Sequence, residues 1–183
     1  NRDFLYKRTF QVPSKMKGKR ILTNFDGINW KALVVLNGKQ VGKIEGAFMR
    51  GQFDITDYLQ EGDNELLVYV QNNDNPGARK TKTGENTSFN GGVLGGDNPT
   101  FHATIGWDWI TTIPGREVGL WNDVFLTATE AVTISDPLVN TTLADGKATM
   151  TPSVFVKNHL STPVHGTLRG NIGDICFEKE VIL

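Results

Sequence analysis

The sequence predicts an all-β protein, and three observations carry that prediction. Apolar residues come in short alternating runs, not at helical spacing. Twenty glycines and seven prolines, with many Asn and Asp residues, divide the chain at frequent turns. No stretch sustains a helical period.

The strands can be taken in order. In residues 4–12, Phe4, Tyr6, Phe10 and Val12 alternate with Lys7, Thr9 and Gln11, and Arg8 interrupts the apolar face. A Lys/Gly segment leads to a second strand over residues 20–25. A third covers residues 30–36 and ends in Asn37-Gly38. Asn-Gly between strands is the strongest short hairpin signal, because both central residues must take positive φ. The return strand covers residues 39–44. Phe53-Asp54-Ile55-Thr56 opens a short turn or helical cap, continued by Asp57, Tyr58 and Leu59. Glu61-Gly62-Asp63-Asn64 turns the chain. Leu66, Val68 and Val70 then alternate with Leu67 and Tyr69, so both faces are apolar, as at the centre of a sandwich.

Residues 71–106 are rich in Asn, Gly, Arg and Lys and read as a long loop. Unstructured loops beyond about 15 residues are uncommon and are usually functional or disordered. Residues 71–100 are expected to be the most mobile part of the first domain, with a strand at Phe101-His102-Ala103-Thr104-Ile105. Ordered chain resumes by Trp107-Asp108-Trp109. Val124, Leu126 and Ala128, with Phe125 and Thr127 on the other face, form a closing strand. This gives a first domain over residues 1–130.

A second pattern fills residues 131–183. Val132-Thr133-Ile134 is a strand, Asp145-Gly146 a turn, and residues 148–156 another strand. After a loop over residues 158–163, strands follow at residues 164–168 and 175–183. The chain opens at Asn1 without an initiator Met or signal peptide, and it ends in apolar Val181-Ile182-Leu183. The expectation is a processed or excised piece, cut inside an unfinished sandwich, that self-associates through residues 175–183.

Composition excludes several classes. A net charge of −1 gives no long-range attraction to nucleic acid or anionic lipid. No apolar run approaches the roughly 18 residues of a membrane span. The single cysteine, Cys176, rules out an internal disulfide and is expected to be a buried apolar side chain in a strand. His102, His159 and His165 lack metal-ligand spacing. His102 precedes Asp108 by a short step and could line the same cleft or sit on a strand surface. Gly91-Gly92-Val93-Leu94-Gly95-Gly96-Asp97 lacks the Lys-Ser/Thr and the helix of a phosphate loop and reads as a flexible loop. Arg79, Lys80 and Lys82 read as a solvated loop. The sequons Asn86-Thr87-Ser88 and Asn140-Thr141-Thr142 are short enough to arise by chance.

Several motifs together resemble one family. Leu5-Tyr6-Lys7-Arg8-Thr9-Phe10 with Val12-Pro13, then Phe25-Asp26-Gly27-Ile28-Asn29, are similar to the first two strands of the sugar-binding domain of glycoside hydrolase family 2. Ala32-Leu33-Val34-Val35-Leu36-Asn37-Gly38 with Val41-Gly42 resembles its hairpin. Phe53-Asp54-Ile55-Thr56 with Leu59, Gly62, Asn64, Leu66 and Val68 resembles the next block. Gly119-Leu120-Trp121-Asn122-Asp123-Val124 resembles the closing motif. These blocks stand in family order and cover most of residues 4–128.

The resemblance implies a galactose-binding-like jelly-roll β-sandwich, followed by the first half of an immunoglobulin-like sandwich in residues 131–183. A catalytic (α/β)8 barrel, here missing, would follow. No cofactor is expected. No glutamate in the chain matches a catalytic motif of the family, so no catalytic residue is carried over. Gly106-Trp107-Asp108-Trp109 is similar to a segment of the exo-β-D-glucosaminidases and β-mannosidases, in which the Asp and a flanking Trp reach the sugar in the barrel's active site. Residues 114–119 are closer to the glucosaminidase pattern. Mannosidases usually carry Gly-Pro after the second Trp, where Ile110-Thr111 stands here, and the β-galactosidases stay open as a third kind of parent.

Trp107, Asp108 and Trp109 therefore form the candidate substrate site. An indole stacks on a sugar's C–H face, and a carboxylate accepts from its hydroxyls. The plainer alternative buries both Trp residues in the core and leaves Asp108 capping a turn. Glycoside hydrolysis needs paired carboxylates roughly 5–10 Å apart, and no recognisable pair stands out. Three functions stay open: a non-catalytic part of a hydrolase, a stand-alone carbohydrate-binding module, and a purely structural sandwich. The expected partners are a terminal β-linked sugar and the barrel of the same protein, and the expected compartment is periplasmic or secreted.

Overall fold

In the computed structural model the described residues are 2–72, 74, 77–79, 92–94 and 118–183. They are almost entirely antiparallel β, as the alternation predicts. The chain divides into two compact units, Asn1–Ala128 and Thr129–Leu183.

The first unit contains β1 (Phe4–Gln11), β2 (Arg20–Phe25), β3 (Ile28–Asn29), β4 (Lys31–Leu36), β5 (Lys39–Glu45), β6 (Gly51–Asp54), β7 (Asp63–Gln71), β8 (Gly77–Arg79), β9 (Gly92–Leu94), β10 (Gly119–Leu120) and β11 (Val124–Thr129). One sheet runs β1-β7-β4-β5 and a second β11-β2-β6, while β10 pairs with β3 and β8 with β9. Along β4 the residues Ala32, Val34 and Leu36 point inward. Ala32 and Val34 pack with Val68 and Val70 of β7 against Phe25, Ile28 and Ile44, and a smaller cluster joins Leu36 to Ile21 and Ile55. Each Val, Leu, Ile or Phe among them, fully buried, contributes about 1.5–3 kcal/mol.

Asn37 and Gly38 both take positive φ, 50° and 78°, so the β4–β5 hairpin has the turn that the dipeptide predicts. A buried amide network fixes it. Asn37 Nδ2 donates to Asn64 Oδ1 and to the Tyr58 carbonyl, both at 2.8 Å. Asn64 Oδ1 also accepts from Gln60 N at 2.9 Å, and Asn64 Nδ2 donates to the Gln60 and Gly62 carbonyls. Asn64 is fully buried, and these bonds make that burial tolerable.

Some expectations need correction. Residues 53–54 belong to β6, and only Thr56–Tyr58 forms the expected helical cap, as a 3₁₀ turn. Asp54 holds that turn by accepting from Thr56 N and from Thr56 Oγ1. On β1, an edge strand, Phe4 and Tyr6 are exposed and Phe10 is half-buried. On β7 one face is buried, while Leu67 and Tyr69 are only half-buried. The region read as one long loop contains the β8–β9 ladder, so Val93 and Leu94 of the glycine-rich segment are in a strand. The strand expected at residues 101–105 lies outside the described residues.

The second unit is two hairpins. β12 (Val132–Ala144) pairs with β13 (Lys147–Asn158), and β14 (His165–Ile172) with β15 (Ile175–Ile182). Asp145 and Gly146 both have positive φ, as the turn requires. Asn158 ties the hairpins together by donating to the Thr162 and Leu183 carbonyls and accepting from Leu160 N. The His159 ring lies 2.9 Å from Thr133 Oγ1. A cleft of about 580 Å³ separates the hairpins, lined by Pro137, Leu138, Val154, Leu168 and Phe177 among others. Cys176 is exposed, contrary to expectation, because it lies on a two-stranded ladder whose β15 side chains mostly face solvent.

Candidate functional site

Asp108, Trp107, Trp109 and His102 lie outside the described residues, as do Lys80 and Lys82; Arg79 ends β8. The described part of the first unit does assemble one rim from three loops, over residues 26–27, 46–50 and 121–123. These join β2 to β3, β5 to β6 and β10 to β11.

Trp121 is the centre of this rim. Its backbone N–H donates to the Gly27 carbonyl at 3.2 Å, and its indole Nε1–H donates to the Ala47 carbonyl at 3.1 Å. Asp26 N donates to the Asp123 carbonyl at 3.0 Å. A side chain at residue 27 has no room: a Cβ there would stand 2.3 Å from Trp121 Cε2. The Trp121 ring is thus held on two loops while the residue remains 46% exposed.

The loop over residues 46–50 is held equally firmly. Gly46 N donates to the Trp30 carbonyl at 2.9 Å, and Met49 N closes a turn onto the Gly46 carbonyl at 3.4 Å. This presents Phe48 and Met49 to solvent, 66% and 56% exposed. Beside them Arg50 Nε lies 3.4 Å from Asp26 Oδ1. The rim therefore combines an anchored indole, apolar neighbours, and a carboxylate–guanidinium pair.

A second concavity, about 490 Å³, opens between the two sheets where β1 and β11 form edges. Tyr6, Phe10, Leu66, Val68, Leu120 and Phe125 line it, with Arg8 among them. Thr23 Oγ1 is buried there without a hydrogen-bond partner. Below it, Asn24 cross-links three strands: its amide donates to Thr127 Oγ1 at 2.9 Å and accepts from Gln52 Nε2 at 2.8 Å.

Among the described residues, the titratable groups that depart from ordinary behaviour are structural. Partial burial pushes the Asp54 carboxyl up. The Thr56 hydroxyl and amide, with the Arg20 guanidinium at 2.7 Å, outweigh this and hold it below the usual carboxylate range. The Tyr69 hydroxyl and the Asn72 amide likewise lower Asp3, and Asp3 in turn raises Tyr69. Other acidic groups form ion pairs on the surface, such as Glu65 with Lys7 and Glu178 with Arg169. None of these is a poised acid facing a nucleophile. Among the described residues no cluster of His, Cys, Asp or Glu could hold a metal ion, and no helix is long and apolar enough to cross a membrane.

Sequence reading missed Trp121 as a surface residue, taking its motif only as a strand closure. The available signal was Gly27: a glycine at a strand end, where close approach of another group is one of the few reasons to omit a side chain.

Comparison with known proteins follows the same outline. The family profile described as glycosyl hydrolase 2 galactose-binding domain-like matches residues 1–122. A mannosylglycoprotein endo-β-mannosidase of Lilium longiflorum is 35% identical over 121 residues, which cover 66% of this chain and 12% of that protein. An exo-β-D-glucosaminidase of Streptomyces avermitilis is 25% identical over an alignment that covers 100% of this chain and 19% of that protein. The β-D-mannosidase of Dictyoglomus thermophilum shares the fold, with a TM-score of 0.66 at 21% identity over 99% of this chain and 22% of its own. The chain thus spans only about an eighth to a fifth of the length of these curated relatives.

Proposed function

The chain belongs to the glycosyl hydrolase 2 galactose-binding domain-like family, and from that premise we propose that it is the N-terminal, non-catalytic part of a glycoside hydrolase. The family match over residues 1–122 carries this reading. The relatives' names agree with it, since they are glycosidases several times longer than this chain. Catalysis belongs to a barrel elsewhere in the same protein. The first unit supplies walls and sugar contacts to that active site. Asp108, with Trp107 or Trp109, contacts a terminal β-linked sugar: the indole stacks on the ring and the carboxylate accepts from hydroxyls. All three residues lie within the family match.

The second unit adds a partner. Its strands leave Ile134, Leu138, Leu143, Phe155 and Ile182 exposed, and a bare apolar ladder recruits further strands. In isolation it pairs with a second copy through β15.

An assay with nitrophenyl β-galactoside, β-mannoside and β-glucosaminide tests the functional reading. The chain alone releases no nitrophenol, and the intact parent hydrolyses at least one of the three. Steady turnover that follows the chain alone through purification would contradict it, as would a parent inactive on all three.

A further inference from the structure

We propose that the rim around Trp121 is a saccharide-stacking platform, a second sugar contact carried by residues other than Trp107, Asp108 and Trp109. It rests on the reading of the chain as part of a glycoside hydrolase. The ligand class is a β-linked oligosaccharide.

A pyranose ring has an apolar face of C–H groups and an edge of hydroxyls that need donors and acceptors. The rim matches both needs. Trp121 offers a large apolar surface at little entropic cost, because its indole N–H is already committed to the Ala47 carbonyl and its flank rests on Gly27. Phe48 and Met49 extend that surface from a loop with its own hydrogen-bonded turn. The Asp26 carboxylate and Arg50 guanidinium, 3.4 Å apart, stand at its edge with an acceptor and donors for hydroxyls. Trp, Phe, Met and Arg are enriched at protein seats too, whereas carboxylates such as Asp26 are depleted there. Here the exposed aromatic side chains sit directly beside a charged pair, which favours a ligand whose own surface mixes C–H and O–H groups.

Titration of the chain with β-1,4-linked tetrasaccharides of glucosamine, mannose and galactose, read by calorimetry and tryptophan emission, tests this. At least one tetrasaccharide binds. Trp121→Ala, Arg50→Ala and Phe48→Ala each weaken that binding by about tenfold, roughly the worth of one good polar or stacking contact. Arg50 and Phe48 are exposed, so their variants decide the matter even where Trp121→Ala does not fold. The platform is refuted if none of the tetrasaccharides binds, or if both Arg50→Ala and Phe48→Ala bind as the parent sequence does. It is equally refuted if these variants change only the melting temperature of the intact protein, which would make the rim a seat for another domain. Nitrophenyl glycoside hydrolysis by the intact protein is read separately. An active parent with an unresponsive rim defeats the platform alone, whereas an inactive parent defeats the functional reading beneath it.

Discussion

Gly27 and Trp121 are in such close contact that a Cβ on residue 27 would lie 2.3 Å from the indole Cε2. Two motifs nearly a hundred residues apart thereby lock one rim. Gly27→Ala must displace either the indole or the backbone beneath it. Overpacking of this kind costs about 1–3 kcal/mol. Denaturant unfolding should show that loss, with a shift in tryptophan emission as the ring moves. A variant with unchanged stability and emission would show that the contact has slack.

The amide of Asn64 makes bonds to Asn37, Gln60 and Gly62 from a fully buried position. Asn64→Ala leaves the Gln60 N–H and one Asn37 donor without their partner. An unsatisfied buried group costs about 1–3 kcal/mol. The unfolding free energy of the first unit should fall by at least that much. Asn64→Asp should retain part of the loss, because a carboxylate replaces the acceptor and not the donors.

Asp54 gives the first unit an acid-sensitive turn. Its folded pKa is depressed, so it binds protons less readily in the folded state than in the unfolded one. The stability it contributes is present above the unfolded carboxylate pKa and is lost as pH falls through the folded value. Thermal unfolding from neutral pH into the acid range should therefore show a decline that is shallower in Asp54→Asn. Identical acid limbs in the two proteins would remove Asp54 from the account.

The second unit should self-associate as concentration rises. Ile182 on β15 is 71% exposed, and Ile182→Lys places a charge on that ladder, one of the devices that block strand pairing. Sedimentation velocity should show reversible dimers for the unmodified chain and fewer for the variant. A monomer at every concentration would count against pairing through β15.

Much of this architecture is legible in the sequence, for identifiable reasons. Asn37-Gly38 specifies its turn because both residues must take positive φ. The apolar runs of β2 and β4 are legible because both strands lie in the core, β2 buried on both faces and β4 on one. What stays hidden depends on partners distant in sequence. β6 is short and half polar, and it becomes a strand by pairing with β2. Phe4 and Tyr6 alternate like core residues, but β1 lies at a sheet edge. Cys176 has the composition of a buried residue, and its exposure follows from a two-stranded ladder that composition cannot reveal. The Trp121 rim needs three loops brought together from residues 26–27, 46–50 and 121–123. Its only local trace is the missing side chain at Gly27.

The central claim is that this domain reaches a sugar whose bond is broken elsewhere in the protein. The most direct measurement is kcat/KM of the intact enzyme carrying Asp108→Asn. A hydrogen bond to a charged group contributes about 1.5–3 kcal/mol. The account therefore predicts a fall of roughly 10- to 150-fold, at about 1.4 kcal/mol per decade, with the fold retained. A change below about threefold in a folded enzyme would contradict it and return Asp108 to a structural role.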